Sequence, residues 1–162
     1  MLTLVLPGYS IKNRDWLFKT KEYLRVQGDK EAYEWRHWSS GAEMDVSEET
    51  DILLRIVGKE KVNFIAKSIG TKVLMSLIPK IHEQINKVIL CGIPIDPIKH
   101  LQGIRMINKK NLWVFQNSQD PLMSYKVIEN YIHLIDKDIQ VIEKISSIHD
   151  YPYYEDFNKL LS

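Results

Sequence analysis

Strand-like apolar runs and helix-like amphipathic stretches alternate along the whole of this sequence, which narrows the fold to a parallel sheet covered by helices. Residues 2–6, 32–38, 62–66, 87–91, 112–116 and 139–145 read as six strands. Those at 2–6, 62–66 and 87–91 are almost continuously apolar, as strands buried on both faces are. Helical periodicity fills the intervals at 15–26, 47–57, 69–78, 121–135 and 153–161. Trp16, Tyr23 and Leu24 share one side of the first of these, Glu48 and Glu49 suit the N-terminus of the second, and Pro79 ends the third. No repeat, low-complexity tract or linker breaks the pattern, so residues 1–162 are expected to form one domain.

The expected architecture is an α/β, doubly wound, three-layer sandwich around a six-stranded parallel sheet. In the common winding the second strand lies beside the first and the third on its other side. The switch point then falls between strands one and three, and a ligand site is expected outside their carboxyl ends. Two loops meet there: Pro7-Gly8-Tyr9-Ser10 and Lys67-Ser68-Ile69-Gly70.

Charge narrows the partners. Lysine and arginine number 22 against 21 acids, a formal charge of +1, which argues against nucleic acid because phosphate binding draws on a basic surplus. A single cysteine, Cys91, excludes an internal disulfide and fits a reducing compartment. The start, Met1 to Pro7, has no basic region and too short an apolar run for a leader, and no stretch has the length of a membrane span. The expected location is the cytoplasm.

The two switch-point loops have complementary chemistry. Residues 62–70 run a strand directly into a helix with Ser68 at the junction, a turn that lifts a hydroxyl from the sheet edge and frees the N–H of Ile69. The Gly8 loop brings a second N–H, that of Tyr9, to the same point, and two such donors make an oxyanion hole.

Ala66-Lys67-Ser68-Ile69-Gly70 resembles the G-x-S-x-G nucleophile elbow of the α/β-hydrolase superfamily, with Ala66 in place of the first glycine. Leu6-Pro7-Gly8-Tyr9 resembles its oxyanion loop, and the resemblance covers nearly the whole chain. The family's order of serine, acid and histidine is matched by Ser68, Asp120 and His149, each following a strand. The first two antiparallel strands and any lid insertion of larger members are missing, so the chain resembles the minimal, lidless branch of small serine hydrolases. The resemblance implies hydrolysis of an ester or related acyl bond of a small molecule through an acyl-enzyme, with no cofactor.

Each residue also has a plainer reading. Ser68 could simply cap a helix, and His149 could be an exposed loop histidine. Asp120-Pro121 has the form of an N-cap followed by proline at the first helical position. Asp96, in Ile93-Pro94-Ile95-Asp96-Pro97, is a rival acid. Lys67, next to Ser68 in a strand, points to the opposite face and is expected to be solvated. Trp38, Ile95 and Met123 are candidate pocket walls beside Tyr9. His37, His82, His100 and His133 show no metal-ligand spacing. The rival functional class is a binding or scaffold protein that keeps the frame without turnover. A flavodoxin-like nucleotide binder is more distant, since no Gly-rich phosphate loop follows the first strand.

Overall fold

The computed structural model describes residues 1–94 and 97–162. Its strands are β1 (Leu2–Leu6), β2 (Asp29–Ala32), β3 (Val62–Lys67), β4 (Ile85–Cys91), β5 (Leu112–Asn117) and β6 (Gln140–Lys144). Its α-helices among the described residues are α1 (Arg14–Tyr23), α2 (His37–Ser40), α3 (Val46–Val57), α4 (Ile69–Ile81), α5 (Pro97–Arg105), α6 (Tyr125–Ile135) and α7 (Tyr154–Leu161). The strands form one sheet in the order β2-β1-β3-β4-β5-β6, every pairing parallel. The order reverses between β1 and β3, so the switch point lies where the sequence places it.

Alternate side chains of the central strands feed two cores. Leu4, Phe64, Leu90 and Val114 pack with the buried faces of α3, α4, α5 and α6. Val5, Ile65, Ile89 and Phe115 point the other way and pack with Trp16 and Leu17 of α1 and Phe157 and Leu161 of α7. The result is a three-layer sandwich. The start of α3 is fixed by Asp45, whose carboxylate accepts the N–H groups of Ser47 and Glu48.

Four elements depart from the sequence reading. The second strand is Asp29–Ala32, not residues 32–38. An edge strand needs only one neighbour and can be polar, so these residues carry no apolar signal. The alternation that reads as a strand belongs to Tyr33 and Trp35, buried between exposed Glu34 and Arg36, which hook over the end of β1 and lead into α2 with Trp38 inside it. Helix α4 continues through Pro79 to Ile81, because the proline forgoes one N–H in the last turn while Ile78 and Ile81 remain buried. Helix α5 has no counterpart in the sequence reading. Helix α6 begins at Tyr125 rather than Pro121, so Asp120 does not cap it.

Candidate active site

Ser68 is the one non-glycine residue with positive φ among the described residues, at φ 53° and ψ −119°. Such a conformation costs about 1–3 kcal/mol. Burying one large apolar side chain contributes about 1.5–3 kcal/mol, and α4 buries Val73, Leu74, Leu77, Ile78 and Ile81 behind the turn, so the strain is readily held. The Ser68 N–H donates to the Cys91 carbonyl at 2.9 Å, and its own carbonyl accepts from the Thr71 N–H at 2.9 Å and the Thr71 hydroxyl at 2.7 Å. The Thr71 hydroxyl also meets Nε2 of the buried His100 at 3.0 Å. A Cβ at Gly70 would stand 2.7 Å from the Leu6 carbonyl oxygen and 2.8 Å from that of Pro7. Glycine there lets the start of α4 close on the end of β1, which brings the Ser68 turn against the Gly8 loop.

The Gly8 loop is held by its carbonyls. Trp35 Nε1 donates to the Gly8 oxygen at 3.0 Å, and His37 Nε2 and Trp38 Nε1 both donate to the Tyr9 oxygen, at 2.8 and 2.7 Å. In a trans peptide the N–H points opposite to the C=O, so anchoring the Gly8 oxygen on Trp35 turns the Tyr9 N–H away from it. Among the described residues neither the Tyr9 nor the Ile69 N–H donates to a backbone or side-chain acceptor. The Tyr9 ring is exposed and stacks on His37 with centroids 4.4 Å apart.

His149 and Asp120 meet from two loops. His149 Nδ1 lies 2.6 Å from Asp120 Oδ2, with the carboxylate completely buried and the imidazole 22% exposed. Nδ1–H donates, because the carboxylate only accepts. The Tyr151 hydroxyl donates to the same Oδ2 at 2.6 Å, and the Leu122 N–H donates to Oδ1 at 2.8 Å. His149 Nε2 is buried and carries no hydrogen bond to any described group, Ser68 included. Catalytic hydrogen bonds are often long in unliganded enzymes.

The His149 ring lies over the end of β4. A Cβ at Gly92, where φ is +58°, would stand 2.8 Å from His149 Cε1 and 2.6 Å from Tyr151 Cε2. Since Ser68 is bonded to Cys91, the neighbour of Gly92, the serine turn and the imidazole share one stretch of sheet edge. Asn117, at the end of β5, clamps the loop by donating Nδ2 to the carbonyls of Ile148 and Asp150, both at 2.8 Å.

Three residues without an assigned part in the sequence reading thus shape the site: Gly92, Asn117 and Tyr151. A glycine directly after a buried strand and a tyrosine two places after His149 were the available signals. Lys67 departs from expectation: its side chain is 4% exposed, paired with Asp150 at 3.1 Å and set 5.2 Å from the Trp16 ring centroid. It does face away from Ser68, as strand alternation requires, but that face is covered by α1. Burial pushes the Cys91 thiol up, and it stands free behind the site.

Of the candidate pocket walls, Tyr9 and Trp38 line an open groove of about 290 Å³ with Ser10, Ile11 and His37. Met123 packs against the larger core, and its carbonyl accepts from Gln116 Nε2 at 2.6 Å. Ile95 and Asp96 lie outside the described residues. A larger cavity of about 520 Å³, lined by Met1, Arg25, Asn63 and Lys87 among others, is at the amino-terminal edge of the sheet, away from these loops. Among the described residues no three His, Cys, Asp or Glu side chains gather as a metal site requires, and no helix is long and apolar enough to cross a membrane.

No protein-family profile and no curated protein sequence matches the chain. Solved structures do. A Coxiella burnetii protein described as an alpha-beta serine hydrolase homologue superposes with a TM-score of 0.73 at 12% identity, over 99% of this chain and 83% of that one. A protein from Pectobacterium atrosepticum, described as a YdeN-like hydrolase, gives 0.67 at 19% identity, over 99% and 89%. MGS-MChE2, an alpha/beta hydrolase from a lagoon-sediment metagenome, gives 0.65 at 18%, over 99% and 88%. At such identities the likeness is one of fold.

Proposed function

We propose, from the minimal α/β-hydrolase fold that this chain has, that it is a serine hydrolase cleaving a carboxylic ester or related acyl bond of a small molecule. The observation that carries the reading is the Asp120–His149 hydrogen bond of 2.6 Å, with the far nitrogen of the imidazole buried and unpartnered at the edge that holds the strained Ser68 turn. An orphaned buried nitrogen is costly unless a partner arrives, and a serine hydroxyl is such a partner.

In this reading His149 Nε2 takes the Ser68 proton as Oγ attacks the carbonyl carbon. The N–H groups of Tyr9 and Ile69 stabilise the oxyanion, and Asp120 steadies the imidazolium. Collapse breaks the bond to the leaving group, which departs with the proton from His149, and an acyl-Ser68 remains. Water, deprotonated by His149, then attacks the acyl carbon; the bond from that carbon to Ser68 Oγ breaks, Oγ takes the proton back from His149, and the acid is released. The groove beside Tyr9 and Trp38 is the natural place for part of the substrate.

A fluorophosphonate tests this. The expected result is one adduct, on Ser68, absent from Ser68→Ala while the circular dichroism is unchanged. Adducts on Ser146 or Ser147 with Ser68 unmodified overturn the assignment.

A further inference from the structure

We propose that Tyr151 is a positioning residue for the Asp120–His149 pair, its hydroxyl fixing the carboxylate and drawing charge from the oxygen that faces the imidazole. The inference rests on the reading of His149 as the base, and it concerns how strongly that base holds a proton.

The geometry leaves the hydroxyl one orientation. Its oxygen lies 2.6 Å from Asp120 Oδ2 and 3.1 Å from the backbone nitrogen of Asn117. The Asn117 N–H can only donate, so the hydroxyl accepts from it and spends its single hydrogen on Asp120. A hydroxyl that accepts one hydrogen bond while donating another is the stronger donor for it. The ring cannot swing away: Tyr151 is fully buried, its carbonyl accepts from Trp16 Nε1 at 2.8 Å, and its N–H donates to Asp150 Oδ1 at 3.0 Å. Gly92 leaves room for the Tyr151 and His149 rings side by side, which a Cβ would not.

Asp120 Oδ2 is therefore shared between two donors, each at 2.6 Å. Charge drawn toward the phenol is charge withheld from the imidazolium. Removing the hydroxyl leaves a more basic carboxylate, which favours protonated His149. Making the phenol more acidic does the opposite.

The other titratable and charged groups around Tyr151 stay fixed in this comparison. Cys91 faces it from β4, and His149, Asp150 and Tyr153 from its own loop. Lys67 reaches Asp150 from β3. Beyond Tyr153, Lys144 of β6 is paired with Asp156 of α7.

The experiment is an NMR titration of His149 in ¹⁵N-histidine-labelled protein, its signal assigned by loss in His149→Gln. Three proteins are compared: the unaltered chain, Tyr151→Phe, and a chain with 3-fluorotyrosine at position 151, which keeps the hydroxyl and the packing. The expected result is a midpoint raised by about one pH unit in Tyr151→Phe, a change of about 1.4 kcal/mol, and lowered by a few tenths with 3-fluorotyrosine. Packing alone does not give opposite signs. The fluorinated chain still decides the matter if Tyr151→Phe does not fold. A midpoint unmoved by 3-fluorotyrosine, or moved upward by it, overturns the proposal. Fluorophosphonate labelling of the unaltered chain is run alongside. Absence of a Ser68 adduct sinks the hydrolase reading, whereas labelled Ser68 with an unmoved His149 sinks only the role of Tyr151.

Discussion

The Lys67 ammonium and the Asp150 carboxylate stand 3.1 Å apart although 83 residues separate them in the chain. Lys67 precedes Ser68 and Asp150 follows His149, so the ion pair ties the two loops together from beneath. Lys67 is buried and Asp150 is half exposed, which makes the pair asymmetric. Lys67→Met keeps the stem against Trp16, frees only a carboxylate that water can reach, and is expected to change the melting temperature little. Asp150→Ala strands a buried ammonium and is expected to cost about 3–5 kcal/mol. Chemical denaturation of the two variants checks the order. Both are expected to slow turnover of an ester such as p-nitrophenyl acetate several-fold, as the His149 loop loses a tether.

Gly92→Ala forces a side chain into a backbone with φ +58° and against the rings of His149 and Tyr151. Tyr151 is a fully buried member of the core that holds Trp16 and Phe157, so the melting temperature is expected to fall, although the rings can give way in part. Turnover is expected to fall by roughly two orders of magnitude, the cost of a 1 Å misplacement of a reacting group. Gly70→Ala differs in degree: its Cβ would meet the backbone oxygens of Leu6 and Pro7, which have no room to yield. That variant is expected to lose more stability than Gly92→Ala, along with activity, and thermal melts of both check the order.

Asp120→Asn keeps the shape of the acid but turns an acceptor of three hydrogen bonds into a group carrying two donors of its own. The His149 tautomer with hydrogen on Nδ1 loses its partner. In the serine-protease triad the equivalent change lowers turnover about 10⁴-fold, and a loss of that order is expected here. His149→Ala is expected to match it. Asp96→Asn is expected to retain most activity, since Asp120 already occupies His149 Nδ1. Turnover numbers for the three variants settle which acid serves.

Alkali supplies a further check. Burial, with a hydrogen bond of 2.5 Å to Glu49, pushes the Tyr33 phenol well above its ordinary value of 10. A proton held more tightly in the folded chain contributes stability that is complete below pH 10 and is lost as the pH rises beyond it toward the folded value. Melting temperatures between about pH 8 and 12 are therefore expected to fall for the unaltered chain, and less steeply for Tyr33→Phe. Tyr33→Phe is also expected to start lower, by about 1–3 kcal/mol, because the buried Glu49 loses a donor.

Strands buried on both faces were the most legible part of the fold: β1 coincides with its expected span, and β3 extends one residue further, to Lys67. The polar edge strand Asp29–Ala32 carries no such mark, and the apolar alternation falls just beyond it. Helix α5 carries no comparable mark; at its Gly103 a Cβ would stand 3.2 Å from the Cα of Met75 and 2.5 Å from its Sδ, so glycine there helps α5 lie close to α4. Ser68, Asp120 and His149 could be put forward as candidates because each follows a strand and the three keep the order that the resemblance implies. Tyr151 and Gly92 carry only faint local signals and the buried state of Lys67 carries none, since each depends on what the folded chain sets opposite it.

The two-core arrangement bears on how such a protein fails. The Ser68 turn is anchored in the thicker layer through α4, whereas the His149 loop rests on the thinner one through Trp16, Tyr151 and the nearby Phe115 and Phe157. Loosening of α1 and α7 alone would carry the imidazole away while most of the helix and sheet signal persisted. Inactivation on gentle heating would then precede unfolding and would reverse on cooling, as a clasp opens without the box coming apart.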